Sequence, residues 1–443
     1  MPPDRRRSDD AERRRARDAV TASNAGREPV PPAVVLNMHY TGLALARALK
    51  SIGLRVIGLS SDPALLGNVS SAIEFRPCPD SESAPEQCAR FLGELALELA
   101  ARPLLLPTRD HDVHMIRRHR QALQAEFIVP LADDDVLDHV LDKESLYAVA
   151  DRLDVPCPRS FWIRTAADLL RALPEMPMPC IAKPVSASDW RKPGIWEAVG
   201  RRKAAIFAER DELRAFYDAI GRFEPALCVQ EYIPGDDREL VIFGAYFNAR
   251  SGARSHYTAR KLLQLPPLAG TGIAVRCEAV PQIVAPSIAL LDHLGYLGPA
   301  EIEYKLDRRS GQYKLIEINT RFWDQHALGA ACGVDLARAM VDDLVLGRPA
   351  QRVADSTSAT WIAEDGLLVS LLSVRADPTA TAAAHRAAWR GRKVFAIFSW
   401  RDPRPALRVA AALARRFACS AWRALRRRLR AGAGARDAAA GSA

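Results

Sequence analysis

The 443-residue sequence lacks several features that would assign it to common protein classes. It has no apolar run near the roughly 20 residues needed to span a bilayer. Its Arg-rich start contains acidic residues and no apolar stretch typical of a secretory signal. The eight cysteines are scattered without a CxxC pair. We therefore expect a cytoplasmic protein with reduced cysteines, and neither a disulfide framework nor a zinc site.

The net excess of positive over negative charge is due to the C-terminal segment. The net charge is +9, but residues 386–437 hold fifteen Arg or Lys and two Asp, so the remainder carries −4. Residues 405–430 place apolar side chains on one helical face and arginines on the others. This pattern predicts a helix that anchors the protein on the anionic inner face of a membrane. The alternatives are a segment that binds another protein and a solvated tail. We do not expect nucleic acid as the partner.

Apolar periodicity divides the chain into four parts. Residues 1–30 lack such periodicity and are predicted to be a disordered leader. Residues 31–141 contain the strand patterns AVVLN, LRVIGLS, PLLLPT and FIVPLA with helical patterns between them, which predicts a parallel α/β sheet. Residues 142–350 begin with a predicted helix to Pro158 and continue with the strands CIAKPV, ALCVQEYI, ELVIFGAYFN, AEIEYKL and YKLIEIN. Residues 351–443 form the basic tail.

The last two of these strands carry the strongest chemical signal. They are predicted to pair as a hairpin that places Glu303 and Glu317 on one sheet face, with Asn319 nearby. Carboxylate and amide oxygens are ligands that Mg²⁺ prefers, and Arg321 could hold a phosphoryl or carboxylate oxygen. A solvent-facing pair of acids is the alternative. It explains Glu317 poorly, because this residue interrupts the apolar run LIEI.

This hairpin, with EIN and the following arginine, resembles the ATP-grasp superfamily, whose members join a carboxylate to an amine or thiol through an acylphosphate. The resemblance covers about residues 33–350. It implies an α/β fold in which an N-terminal parallel-sheet domain precedes a two-subdomain ATP-grasp domain. The nucleotide would lie between residues 142–235 and 236–350. ATP and Mg²⁺ are the implied ligands, with Mn²⁺ as an alternative metal.

The resemblance also implies roles for residues upstream of the hairpin. Lys143 and Lys183 would contact phosphates, although Lys143 also fits an ordinary helix-surface lysine. The segment after Lys183 contains Ser186 and Ser188 but lacks the glycine-rich loop that is common in this superfamily, so its closure over phosphate is an open question. The strand end with Gln230, Glu231 and Ile233 would also contact the nucleotide, with backbone groups of Glu231 and Ile233 at the adenine edge. Glu239 would bind the ribose hydroxyls.

The acceptor side has weaker signals. The opening turn NMHYTG lacks the GxGxxG pattern of a dinucleotide site. Ligands collect at the carboxyl ends of strands in open α/β sheets, so polar residues there could line a substrate pocket, with capping or packing as the alternative. Lys261 is predicted to contact a carboxylate or phosphate, with a solvated basic loop as the alternative. The other candidates on this side are His39, Tyr40, Thr41, Thr108, Asp110, Arg260 and Arg276.

These observations predict an ATP-dependent ligase. It would activate a small-molecule carboxylate with Mg-ATP and pass the acyl group to an amine or thiol, releasing ADP and phosphate. Arg321 and Lys261 are the candidate catalytic residues. A phosphotransferase with the same nucleotide site, and a non-catalytic ATP-binding protein at the membrane, are the alternatives. Neither the substrates nor the oligomeric state can be predicted from the sequence.

Overall fold

The computed structural model describes residues 30–185, 190, 194–202, 204–267, 270–354, 359–372 and 378–415. Nearly all of the predicted leader lies outside these residues, as do Ser186 and Ser188. The predicted tail helix is described only in part, since residues 404–415 are helical and residues 416–443 lie outside. None of the described helices is long and apolar enough to cross a membrane.

The first sheet consists of four parallel strands in the order β3-β2-β1-β4. Its two central strands are fully buried, as expected for a parallel sheet covered by helices. The strand predicted at FIVPLA is wrong: only Ile128 makes a bridge, to Leu104. The elements are β1 Ala33–Leu36, α1 Tyr40–Ser51, β2 Val56–Ser60, β3 Glu74–Pro77, α2 Pro85–Leu99, β4 Leu104–Leu106, α3 Asp110–Arg118, α4 Arg120–Glu126 and α5 Asp134–Leu141.

The second sheet has four antiparallel strands in the order β5-β8-β6-β7. The helix before it begins at Lys143 because the Asp142 side chain accepts a hydrogen bond from the Ser145 amide. It ends at Arg152, which is earlier than the predicted end. The elements are α6 Lys143–Arg152, β5 Ser160–Ile163, α7 Ala166–Ala172, β6 Cys180–Pro184, α8 Ile195–Ala198, β7 Ala205–Phe207, α9 Arg210–Ile220 and β8 Leu227–Glu231.

The third sheet is the largest, with the order β13-β12-β9-β10-β11-β15-β16 and β14 beside β10. The segment around Lys261, for which a solvated loop was an alternative, belongs to the long strand β10. The elements are β9 Leu240–Asn248, β10 Ala253–Leu265, β11 Thr271–Cys277, α10 Val284–His293, β12 Leu297–Asp307, β13 Gln312–Asn319, α11 Ala327–Ala331, α12 Leu336–Leu344, β14 Gln351–Val353, β15 Ala359–Ile362, α13 Glu364–Leu372, α14 Pro378–Ala388 and β16 Arg392–Phe395.

The first and third sheets share hydrophobic cores, whereas the second sheet has its own. One shared cluster joins residues such as Leu43 on α1 to Trp361 on β15. The second-sheet cluster contains Trp190 and Leu213 but no residue of the other two sheets. The second sheet therefore forms a separately packed layer that faces the other two across a cavity.

Candidate active site

A cavity of about 520 Å³ lies where the three sheets meet. Lys183 on β6 lines it from the second sheet, and Glu303 and Glu317 line it from the third. Thr41 and Thr108 line it at the carboxyl ends of strands of the first sheet. Residues far apart in the sequence therefore meet at one site.

The hairpin predicted at this site is present. Glu303 lies directly opposite Glu317 across the β12–β13 ladder, and Glu301 lies opposite Asn319. Since alternate residues of a strand share a face, all four side chains project toward the cavity that they line. The sequence prediction included three of them and missed Glu301, although its spacing of two residues from Glu303 was a usable signal.

Two lysines neutralise the paired carboxylates. Lys143 Nζ lies 3.1 Å from Glu317 Oε2, and Lys261 Nζ lies 2.6 Å from Glu303 Oε1. Lys143 is the main cause of a Glu317 pKa lowered to about 2, so this carboxylate is ionised at neutral pH. The Lys261 side chain is only 5% exposed, and its pKa is raised by the neighbouring glutamates against the opposing effect of burial. Both lysines are therefore held in the charged form.

The donor set fits a magnesium ion that also binds phosphate oxygens. Asn319 Nδ2 donates to Glu301 Oε2 at 2.9 Å, which turns the Asn319 carbonyl oxygen away from Glu301. The side-chain oxygens of Glu303, Glu317 and Asn319 are hard ligands. Among the described residues, no three His, Cys, Asp or Glu side chains form a complete metal cluster. An ion here would need ligands from outside the protein, as Mg²⁺ usually does.

Lys183 differs from its two neighbours because no carboxylate within the described part of the chain pairs with it. Burial, followed by repulsion from Lys143, lowers its pKa to about 8. A lysine held in a cavity without an anion costs free energy unless a ligand supplies the missing charge. Lys183 is therefore suited to bind a phosphate group.

The strand end at β8 lies on the same cavity. The Glu231 carboxylate accepts hydrogen bonds from Arg309 and Lys314, and the Glu231 amide donates to the Arg159 carbonyl. The Gln230 amide donates to the hydroxyls of Tyr147 and Ser160. Ile233 also lines the cavity.

Some predicted residues lie away from the cavity. Glu239 is buried and pairs with Arg308, and it is not among the lining residues. Arg260 pairs with Glu278, and Arg276 donates to the carbonyl of Ala387. Arg260 and Lys261 are adjacent in β10 and so point to opposite faces. His39 and Tyr40 do not line the cavity either, and the Tyr40 hydroxyl donates to Asp365.

The end of the cavity that faces the first sheet is rich in carboxylates. Arg321 Nε donates to Asp110 Oδ1 at 2.9 Å, and Thr41 Oγ1 donates to Asp324 Oδ1 at 2.7 Å. Burial and the charge of Glu303 raise the pKa of Glu301 to about 8. Sequence reasoning missed Asp324 because no local pattern marks it; only the contact between distant segments brings it to the site.

The architecture and the site together define the class: the chain has the ATP-grasp fold, as its sequence predicted. The family model "Carbamoyl-phosphate synthase L chain, ATP binding domain" matches residues 274–348. These residues include β12, β13 and the predicted metal ligands. The resemblance to the ATP-grasp superfamily is confirmed by this match to an ATP-binding domain together with the relatives that follow.

The chain is similar in sequence or in structure to several known proteins. The chain is 27% identical over 303 residues to a D-aspartate ligase of Enterococcus faecium, covering 66% of this chain and 70% of that protein. The biotin carboxylase domain of Hydrogenobacter thermophilus 2-oxoglutarate carboxylase, in complex with MgADP, ADP and bicarbonate, matches with a TM-score of 0.57 at 15% identity. That match covers 73% of this chain and 71% of that one. N5-carboxyaminoimidazole ribonucleotide synthetase from Thermus thermophilus matches with a TM-score of 0.54 at 18% identity, covering 74% and 82%.

Proposed function

We propose that this chain is an ATP-dependent carboxylate–amine ligase. In the proposed reaction the γ-phosphoryl group of ATP is transferred to a substrate carboxylate. An amine then attacks the acyl carbon and releases phosphate, which leaves ADP and a new C–N bond. The observation that carries the proposal is the pairing of Glu303 with Lys261 and of Glu317 with Lys143, in the same cavity as Lys183, which has no carboxylate partner among the described residues.

The protein's part in this reaction is to position substrates and neutralise charge. Lys183 and Lys143 would hold phosphate oxygens, and the backbone at Glu231 and Ile233 would hold the adenine edge. Mg²⁺, when bound by Glu303, Glu317 and Asn319, would neutralise charge on the phosphate oxygens. Mn²⁺ could take the same ligands. Glu239, predicted to hold the ribose, does not line the cavity, and Arg308 occupies its Oε1.

Arg321 and Lys261 are the proposed catalytic side chains. Arg321 can orient a carboxylate oxygen through its guanidinium group, because its Nε contact to Asp110 leaves other donors available. Lys261 is buried, charged and next to Glu303, so it can stabilise negative charge that develops on the transferred phosphoryl group. The similarity to a D-aspartate ligase supports a small carboxylate substrate.

We also propose the domain limits on the basis of the three sheets. Residues 31–141 would be the N-terminal domain, and residues 142–350 the ATP-grasp domain, divided near residue 235. The tail from residue 351 would carry the basic segment, which we propose as a contact to an anionic membrane surface. The described part of this tail packs on the body: buried Asp402 accepts hydrogen bonds from Arg47 and Ser70.

The test is a screen of small carboxylates and amines for ADP and phosphate release by the full chain with MgATP. We expect phosphate release that requires both a carboxylate and an amine. ADP formation with a stable phosphorylated product, and no dependence on an amine, would instead identify a phosphotransferase. Nucleotide binding without turnover across the screen would contradict both reactions.

A further inference from the structure

The β12–β13 hairpin is irregular beside its paired carboxylates. Glu317 lies opposite Glu303. The next pair along the ladder is Tyr304 with Leu315, so Ile316 has no residue opposite it and forms a β-bulge. Ile316 and Glu317 are adjacent in the sequence and both line the cavity, whereas neighbouring residues of a regular strand point to opposite faces. The bulge therefore affects the direction of the Glu317 side chain.

We propose that Tyr147 is a positioning residue that holds this bulge and thereby keeps the Glu317 carboxylate on Lys143. The Tyr147 hydroxyl donates a hydrogen bond to the Ile316 carbonyl oxygen at 2.9 Å. It therefore supplies a partner to the residue that the ladder skips. The inference deepens the proposed function and rests on it, because the direction of Glu317 matters to the reaction only if the cavity binds MgATP.

The Tyr147 hydroxyl is buried and joins three parts of the fold. The residue is 8% exposed. Besides donating to Ile316 on β13, its hydroxyl accepts a hydrogen bond from Gln230 Nε2 on β8 at 3.0 Å. The same nitrogen donates to Ser160 Oγ on β5. A hydroxyl has one hydrogen to donate, so this one is committed to Ile316. The contact connects α6 and the second sheet to the bulge of the third.

The spacing of residues on α6 relates Tyr147 to Lys143. They are four residues apart, so they lie one turn apart on the same face of the helix. Their partners, Ile316 and Glu317, are consecutive on β13. Lys143 Nζ lies 3.1 Å from Glu317 Oε2. The helix is therefore attached to the strand at two adjacent points, and the contact to the Ile316 backbone sets the distance for the contact to the Glu317 side chain.

A backbone contact holds the other flank of the bulge. The Leu315 amide donates to the Pro156 carbonyl oxygen at 2.7 Å, in the segment that follows α6. A substitution at Tyr147 leaves this backbone contact in place. We therefore expect the loss of the Tyr147 hydroxyl to release the direction of Glu317 while the hairpin itself remains folded.

The test is Tyr147→Phe in the full chain, because this change removes the hydroxyl and keeps the ring. The measurement is the Mg²⁺ concentration at which binding of a fluorescent, non-hydrolysable ATP analogue is half-maximal. We expect this concentration to rise about tenfold or more, which is the effect of losing a group that orients a metal ligand. Thermal unfolding of the same samples shows whether the fold is intact.

Tyr296→Phe is the matched control. Tyr296 is also buried and also donates to a backbone carbonyl, that of Pro299 at 2.8 Å, and neither residue lines the cavity. This variant loses the same kind of hydrogen bond, so its stability should fall while its Mg²⁺ requirement stays that of the parent chain. Equal Mg²⁺ requirements in Tyr147→Phe and Tyr296→Phe would overturn the inference.

A second measurement separates positioning of Glu317 from general support of the fold. Tyr147→Phe is made again in a chain that carries Glu317→Gln, and the affinity for the analogue is measured at fixed Mg²⁺. If Tyr147 acts through the Glu317 carboxylate, the added substitution should change this affinity by less than about twofold. A loss as large as in the parent chain would show that Tyr147 acts independently of Glu317, and the positioning role would be rejected.

The parent chain separates this inference from the proposed function. If the parent shows no Mg²⁺-dependent binding of the analogue, the proposed function is rejected and the inference falls with it. If the parent binds the analogue with Mg²⁺ and Tyr147→Phe binds it in the same way, only the positioning role is rejected.

Discussion

The two ends of the cavity differ in charge. At one end lie three lysines, Lys143, Lys183 and Lys261, and only two carboxylates, those of Glu303 and Glu317. At the other end the carboxyl groups of Asp110, Glu301 and Asp324 lie near Arg321, and burial raises the pKa of Glu301 to about 8. The lysine end therefore suits the polyphosphate of a nucleotide better than the Arg321 end does.

The largest effect is expected from Glu317→Ala at the lysine end. The change removes a metal ligand and leaves Lys143 without its partner. We expect ADP formation to fall about a thousandfold or more, since transition-state charge would lose several kcal/mol of stabilisation. The measurement is ADP release with MgATP, beside thermal unfolding to show that the fold is intact. Undiminished turnover would refute the metal assignment.

Arg321→Met tests the Arg321 end by itself. The proposed contact between the guanidinium group and the substrate carboxylate would be lost. The value of kcat/KM for that substrate should therefore fall roughly 10- to 100-fold, which is the effect of losing a hydrogen bond to a charged group. The affinity for MgATP should stay the same, because Arg321 lies at the opposite end. Steady-state kinetics with each substrate varied in turn would show this. An equal loss of nucleotide affinity would mean that the two ends are not independent.

Lys183→Met should weaken ATP binding by about tenfold, because the cavity loses a cation that no carboxylate of the described residues neutralises. Lys50→Met on the exposed end of α1 is the matched control. Equilibrium titration with a non-hydrolysable ATP analogue and Mg²⁺ measures the difference. Identical affinities in the two variants would remove Lys183 from the phosphate site.

The smallest effect is the dependence of ATP affinity on pH. The Lys183 pKa is lowered to about 8, whereas those of Lys143 and Lys261 are raised. Phosphate favours the charged lysine, so this contribution is fully present below pH 8 and is lost as the pH rises above it. The dissociation constant should rise by at most about tenfold per pH unit. The rise should disappear in Lys183→Met, and its persistence there would point to another group.

The sequence predicted the lysine end well because its residues lie on elements with clear local patterns. The hairpin strands alternate, so the pairing of Glu303 with Glu317 followed from spacing, and Lys183 stood out as a charge within an apolar strand. The Arg321 end was poorly predicted. Glu301 looked like one more strand residue, and Asp324 lies in a loop whose partner, Thr41, is distant in the sequence.

By itself the sequence determined the α/β class, the hairpin of Glu303 and Glu317 and the strand of Lys183, because hydrophobic periodicity and charges within apolar runs are local properties. Only the tertiary structure decided which of the remaining polar residues share the cavity. In the tertiary structure Lys261 lines the cavity, whereas its neighbour Arg260 does not. Thr41 contacts Asp324, which is distant in the sequence. The physical reason is that strand register and sheet packing determine where a side chain points, and they depend on contacts between segments that no local pattern records.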